Sequence, residues 1–204
     1  MKQTILSTIA VLLLAISAPA LAQPNAKLNP GMELPGADIT MRNVDGKKIT
    51  MKNCMGANGL LVMFSCNTCP FVIKNQPITR KTMEYAIAHH IGMVIINSNE
   101  ARRSDDDSYE NMKTYAREQG YTVPYLADEH STVADMFGAN HTPEIFLFNS
   151  KGILMYKGAM NDNPSDPSGY KVMYVNNAID AMIGGQNIDP QITKSIGCSI
   201  KRKS

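Results

Sequence analysis

Two cysteines separated by Asn67 and Thr68 could do chemistry at once. The spacing in Cys66-Asn67-Thr68-Cys69 suits a pair of thiols that opens and closes one disulfide. Ahead of them, Gly59-Leu60-Leu61-Val62-Met63-Phe64-Ser65 is short, continuous and apolar, as expected of a strand buried on both faces. Behind them, Pro70 suits the first turn of a helix, where a missing N–H costs nothing. Residues 71–90 follow with Met83, Ala86 and Ile87 at helical spacing. A thiol at such a junction lies over the unpaired N–H groups and positive dipole end of the helix. That favours the thiolate, which is the nucleophile of disulfide exchange. Cys66, by position the more exposed and dipole-stabilised of the two, is expected to attack, and Cys69 to resolve the mixed disulfide. The expected redox group is the Cys66–Cys69 disulfide itself, with no added cofactor and no metal. A structural disulfide or half a zinc site uses the same spacing, and the strand and helix that frame this pair favour the redox reading.

The chain has 204 residues. Lys2, an apolar run over 5–17 and Ala20-Leu21-Ala22 read as a secretory leader over 1–22, cut before Gln23. The apolar run is too short for a comfortable membrane span, and a lipid anchor at Gln23 is not expected. About 182 residues then remain, enough for one domain. The expected organisation is a lead-in at 23–34, a domain over 35–189 and a basic tail at 190–204. The formal charge of +2 drops to about +1 without Lys2, which gives no reason to expect nucleic acid as a partner. Lys194, Lys201, Arg202 and Lys203 read as a solvated tail. The fourteen methionines are scattered singly and read as core filler rather than a copper array.

The remaining elements must position the thiols. Residues 38–51 alternate around Asp45-Gly46 and predict a hairpin. Gly92-Met93-Val94-Ile95-Ile96-Asn97 predicts a second buried strand. The polar stretch 102–107 leads into a helix with Tyr109, Met112 and Ala116 on one face, ended by Gly120. Residues 121–126 are extended, and Pro124 within them predicts an edge strand. Asp128 caps a helix holding Val133, Ala134 and Phe137. Residues 145–148 and 153–156 flank a turn and predict a second hairpin. Val172, Val175, Ile179 and Met182 stripe a last helix. Helices alternating with buried strands, then a hairpin and a closing helix, describe an α/β three-layer sandwich around a mixed sheet. Thr142-Pro143 precedes the second hairpin, and a proline there leaves a free backbone edge that could receive a substrate strand.

With these parts in order, the chain resembles the thioredoxin-like superfamily, and within it exported proteins of the alkyl hydroperoxide reductase/thiol-specific antioxidant and TlpA-like group. The likeness runs from about Pro35 to Gly185. It is carried by the N-terminal hairpin, Cys-Asn-Thr-Cys-Pro at 66–70, Ile-Asn-Ser-Asn-Glu at 96–100, the segment 124–129 and Thr-Pro-Glu-Ile-Phe-Leu-Phe at 142–148. The resemblance implies a thioredoxin-like fold in which residues 108–126 form a helix-strand insertion. It also implies a cis-proline at Pro143 facing the disulfide, and Glu100 near the buried cysteine as a proton acceptor. Protein thiol or disulfide clients and an upstream redox partner would follow, in the periplasm or an equivalent exported compartment.

The departures matter as much. Leu60 stands where plain thioredoxin has a buried aspartate, a proton acceptor that Glu100 could replace. Thr68 stands where close relatives often have a histidine, so the pair is expected to be less oxidising than a histidine-containing one. A peroxiredoxin-like thiol peroxidase is the first alternative. Its signature needs a threonine three residues before the reacting cysteine, a place held here by Met63. The second alternative is a copper-binding thioredoxin-fold carrier using two cysteines and His141. Cys54 and Cys198 remain open. Cys198 lies in a tail with no apolar periodicity to dock it, and relatives often show a similar Gly-Cys-Ser-Ile-Lys tail. An auxiliary or free tail thiol, a 54–198 bridge, which the oxidising compartment permits, and an intermolecular disulfide are the alternatives.

Overall fold

The turn at Asp45-Gly46 joins β1 (Met41–Asn43) to β2 (Lys48–Ile49), with Met41 opposite Ile49. The computed structural model describes residues 28–203, so the expected leader at 1–22 and the first part of the lead-in lie outside the described residues. β3 (Gly59–Ser65) is buried at every position, and α1 (Pro70–Lys74), α2 (Gln76–Ala88) and β4 (Ile91–Asn97) follow it. Next come α3 (Tyr109–Glu118), β5 (Tyr125–Ala127) and α4 (Thr132–Phe137). β6 (His141–Thr142), β7 (Glu144–Asn149), β8 (Leu154–Gly158), α5 (Tyr174–Ile183) and β9 (Cys198–Ser199) complete the order.

Seven strands form one mixed sheet in the order β2-β1-β5-β4-β3-β7-β8, and β6 pairs with β9 in a separate ribbon. β3, β4 and β5 run parallel to one another, while β1 and β7 lie antiparallel to their neighbours. Alternation along β3 explains why its run is apolar throughout. Leu61 and Met63 pack with Ile78 and Met83 of α2, Met112 of α3 and Ile179 of α5. Leu60, Val62 and Phe64 face the other way, toward Val133 and Phe137 of α4. Helices on both faces make the three layers. Each such side chain removed from water contributes roughly 1.5–3 kcal/mol before chain entropy is counted.

Three expectations need correcting here. The helix expected over 71–90 is broken at Asn75, because Pro77 has no N–H to give the Ile73 carbonyl. Asn75 fills the break, donating from Nδ2 to the carbonyls of Phe71 and Pro164, both at 2.8 Å. Within α2, Met83 and Ala86 are core while Ile87, expected on the same face, is 51% exposed. The strand near Pro124 is interior, between β1 and β4. Pro124 stands just before β5, where its carbonyl accepts from Ile95 N–H at 2.9 Å and its missing donor is not needed. The tail is docked. Lys157 of β8 meets Ile192 in a parallel bridge, Thr193 Oγ1 sits 2.6 Å from Tyr156 Oη, and Ile200 is buried in the core.

Candidate active site

Cys66 leaves the carboxyl end of β3 beside the carboxyl end of β4, the part of an open α/β sheet where ligands bind. The antiparallel register of β3 and β7 ends with Phe64 opposite Glu144. Carried two residues further, it brings Cys66 opposite Thr142, and Cys66 Sγ lies 3.3 Å from Thr142 Oγ1. The Thr142–Pro143 peptide is cis. Cys69 caps α1 in extended conformation, with Pro70 at the first helical position. Its sulfur lies 3.2 Å from the Thr142 carbonyl oxygen, so one residue touches both sulfurs.

The disulfide joins Cys69 to Cys198, with Cα atoms 6.0 Å apart, and leaves Cys66 and Cys54 as free thiols. The disulfide expected between 66 and 69 is therefore not the one formed in this state, nor is a 54–198 bridge. The reason lies in the tail strand. β9 pairs antiparallel with β6, setting Cys198 opposite Thr142 and so beside Cys69. The close approach needs Gly197, because a Cβ there would lie 2.2 Å from the Thr142 carbonyl oxygen.

Cys66 is 2% exposed and Cys69 3%, against the expectation of an exposed attacking thiol. Burial pushes the Cys66 thiol above its ordinary pKa, and the negative charge of Asp107 pushes the same way. The Thr142 hydroxyl, a larger influence than Asp107, and the N–H groups of Cys69 and Thr68 pull it down without offsetting burial. The helix that should favour thiolate is only the five-residue α1, cut off from α2 at Asn75. In this state Cys66 is a protected thiol.

Asp107 was not foreseen. It is fully buried and accepts from Asn67 N–H at 2.9 Å, Asn97 Nδ2 at 2.7 Å and Asn99 Nδ2 at 2.8 Å. Tyr125 Oη donates to Asn67 Oδ1 at 2.8 Å and accepts from Asn97 Nδ2 at 2.9 Å. These bonds hold the loop between the two cysteines from below. Glu100 turns elsewhere: its Oε2 accepts from His130 N–H at 3.2 Å and lies 3.7 Å from Arg103 Nε. Asp107, rather than Glu100, is the carboxylate whose charge is felt at Cys66. His141 lies in β6, where its backbone pairs with Ser199 and its N–H donates to Glu144 Oε2 at 3.0 Å. A cleft of about 600 Å³ opens beside the sulfurs, lined by Cys66, Thr68, Cys69, Arg102, Cys198 and Lys201 among others.

A mixed sheet clothed by helices, with a thiol at the strand-to-helix junction and the Thr142-Pro143 strand against it, defines a thioredoxin-like protein. The chain belongs to the AhpC/TSA family, which it matches over residues 30–157. No curated protein matches it. An uncharacterized conserved protein from Geobacillus kaustophilus is 34% identical, with a TM-score of 0.78, over 86% of this chain and 93% of its own. A hypothetical protein from Sinorhizobium meliloti is 27% identical, again with a TM-score of 0.78, over 88% of this chain and 97% of its own. The thioredoxin domain of a thiol-disulfide oxidoreductase from Bacteroides vulgatus shares the fold at 19% identity, with a TM-score of 0.54, over 70% of this chain and 96% of its own.

Proposed function

We propose that this protein is an exported thiol–disulfide oxidoreductase acting on protein clients, with Cys66 attacking and Cys69 resolving. The observation that carries the reading is the free Cys66 thiol set against Thr142, three residues ahead of a cysteine already engaged in a disulfide. In the reduced enzyme, the Cys66 thiolate attacks one sulfur of a client disulfide, and the other client sulfur leaves as thiolate. Cys69 then attacks the Cys66 sulfur of the mixed disulfide, giving a Cys66–Cys69 disulfide and a client dithiol. An upstream redox partner returns the pair to dithiol. Thr142 and Pro143 form the edge on which the client strand lies. Export rests on the leader read at 1–22; among the described residues no helix is long and apolar enough to cross a membrane. Peroxidase chemistry has less support, because Met63, where the signature needs a hydroxyl, is a buried β3 side chain.

Insulin reduction tests the assignment. Cys66→Ser is expected to abolish turnover, while Cys69→Ser accumulates mixed disulfides with clients. The wild type, supplied with a thiol reductant, should reduce insulin far faster than it consumes hydrogen peroxide. Turnover that survives Cys66→Ser sinks the assignment, and a peroxide rate typical of dedicated peroxidases promotes the other chemistry.

A further inference from the structure

Thr142 presents two faces: its hydroxyl meets Cys66, and its backbone carries the tail. β9 lies on β6 as an added strand, the way an extended peptide binds a sheet edge. Beyond it the tail is fastened at every step. Ile200 N–H donates to the Asn140 carbonyl at 3.0 Å, and Lys201 N–H to Asn99 Oδ1 at 2.9 Å. Ala101 N–H donates to the Lys201 carbonyl at 2.8 Å, and Arg202 Nε to Asp135 Oδ1 at 2.6 Å. Ile200 is 6% exposed, seated in the core cluster that holds Phe64 and Phe137.

We propose that the C-terminal segment is a built-in occupant of the client edge, and that Cys198 is a third redox thiol that changes places with Cys66 on Cys69. The proposal rests on the oxidoreductase reading above. In the closed state Cys69 is bonded to Cys198 and Cys66 is a covered thiol. Opening occurs when the Cys66 thiolate attacks Cys69 Sγ. The Cys66–Cys69 bond forms, the Cys69–Cys198 bond breaks, and Cys198 leaves as thiolate and takes up the proton that Cys66 gave up. One disulfide is exchanged for another, so no outside oxidant or reductant is consumed. The freed tail can lift from His141–Thr142, and the edge is open to a client. The reverse exchange closes it.

The tail also describes the partner this edge fits. It is an extended segment with a glycine before its cysteine, since no Cβ is tolerated over the Thr142 carbonyl. An aliphatic residue two places after the cysteine enters the core cluster as Ile200 does, and a basic side chain follows. The raised pKa of the covered Cys66 is consistent with a closed state that is slow to react.

The test uses the full chain, oxidised with one equivalent of a small-molecule disulfide, alkylated and mapped without reduction. The wild type is expected to yield the 69–198 cross-link with Cys66 alkylated. Cys198→Ser should yield 66–69, and Gly197→Val should shift the wild-type pattern toward 66–69. A wild type carrying 66–69 with Cys198 alkylated, or a 66–198 link, overturns the relay. Insulin turnover at limiting insulin should rise about tenfold in Gly197→Val, because apparent client affinity scales with the open fraction. Cys198→Ser adds no bulk, and a severalfold rise in it keeps the test decisive if Gly197→Val misfolds. Unchanged or slower turnover in a folded variant overturns the occupant role. Cys66→Ser separates the two readings. If it retains insulin turnover, the oxidoreductase assignment fails, while the 69–198 cross-link in the same protein still reports the tail.

Discussion

At the scale of single residues, the site is governed by what surrounds Cys66 rather than by the four-residue motif. Asp107 holds the loop by accepting from Asn67 N–H, and its charge also disfavours a thiolate at Cys66. Asp107→Asn removes the charge and leaves one acceptor oxygen for the three donors. In the singly oxidised Cys54→Ser background, iodoacetamide can then report Cys66 alone. The wild-type rate should climb through pH values above those of an ordinary thiol, because burial and Asp107 both raise its pKa. Asp107→Asn should move the profile to lower pH and cost about 1–3 kcal/mol of stability, since an amide cannot accept from all three donors. A profile unmoved by the substitution would remove Asp107 from the electrostatics of the site. The cysteines, Thr142 and Pro143 were legible because each residue type carries its own chemistry. Asp107 was not, because it is one of three consecutive aspartates and nothing in the sequence says which one points inward. Glu100 was drawn toward the thiols by resemblance, while the chain folds it against His130 N–H and Arg103.

Among the elements, those with strong local signals form where expected. β3 was visible from its apolar run, the first hairpin from Asp45-Gly46, and α4 from Asp128 and its apolar face. Pro77 was the unread signal for the break between α1 and α2. The interior place of β5 depends on which strand covers it, a non-local fact that Pro124 could not disclose. α4 offers a measurable case. Asp128 is buried and accepts from Val133 N–H at 2.9 Å, Ala134 N–H at 3.0 Å and Ser98 Oγ at 2.7 Å. It thus satisfies two of the helix's unpaired donors and ties the helix to the end of β4. Asp128→Ala should destabilise the protein by about 1–3 kcal/mol, read as a lower urea midpoint at unchanged slope. A loss below a few tenths of a kcal/mol would show that water replaces the carboxylate without penalty.

Over the whole molecule, the tail decides how the parts are tied together. It carries no apolar periodicity, so its place could not be read from pattern. Backbone pairing at β6, the glycine-only approach at Gly197 and a single apolar anchor at Ile200 hold it, none of which requires a repeat. The Cys69–Cys198 disulfide spans 129 residues of sequence. Closing so long a loop restricts the unfolded chain by about 5 kcal/mol in the chain-entropy model, whereas the short loop between Cys66 and Cys69 would give about 2. The two disulfide isomers therefore differ in stability by about 3 kcal/mol for a reason independent of any contact in the folded state. Reduction of the singly oxidised wild type should lower its urea midpoint by roughly 1–3 M. In Cys198→Ser, where only the short loop can close, the effect of reductant should shrink to less than half. Cys54→Ser should behave as wild type, because Cys54 is a free thiol. Equal sensitivity to reductant in wild type and Cys198→Ser would mean that the stable disulfide in solution is the short one, with the tail held by its backbone pairing alone.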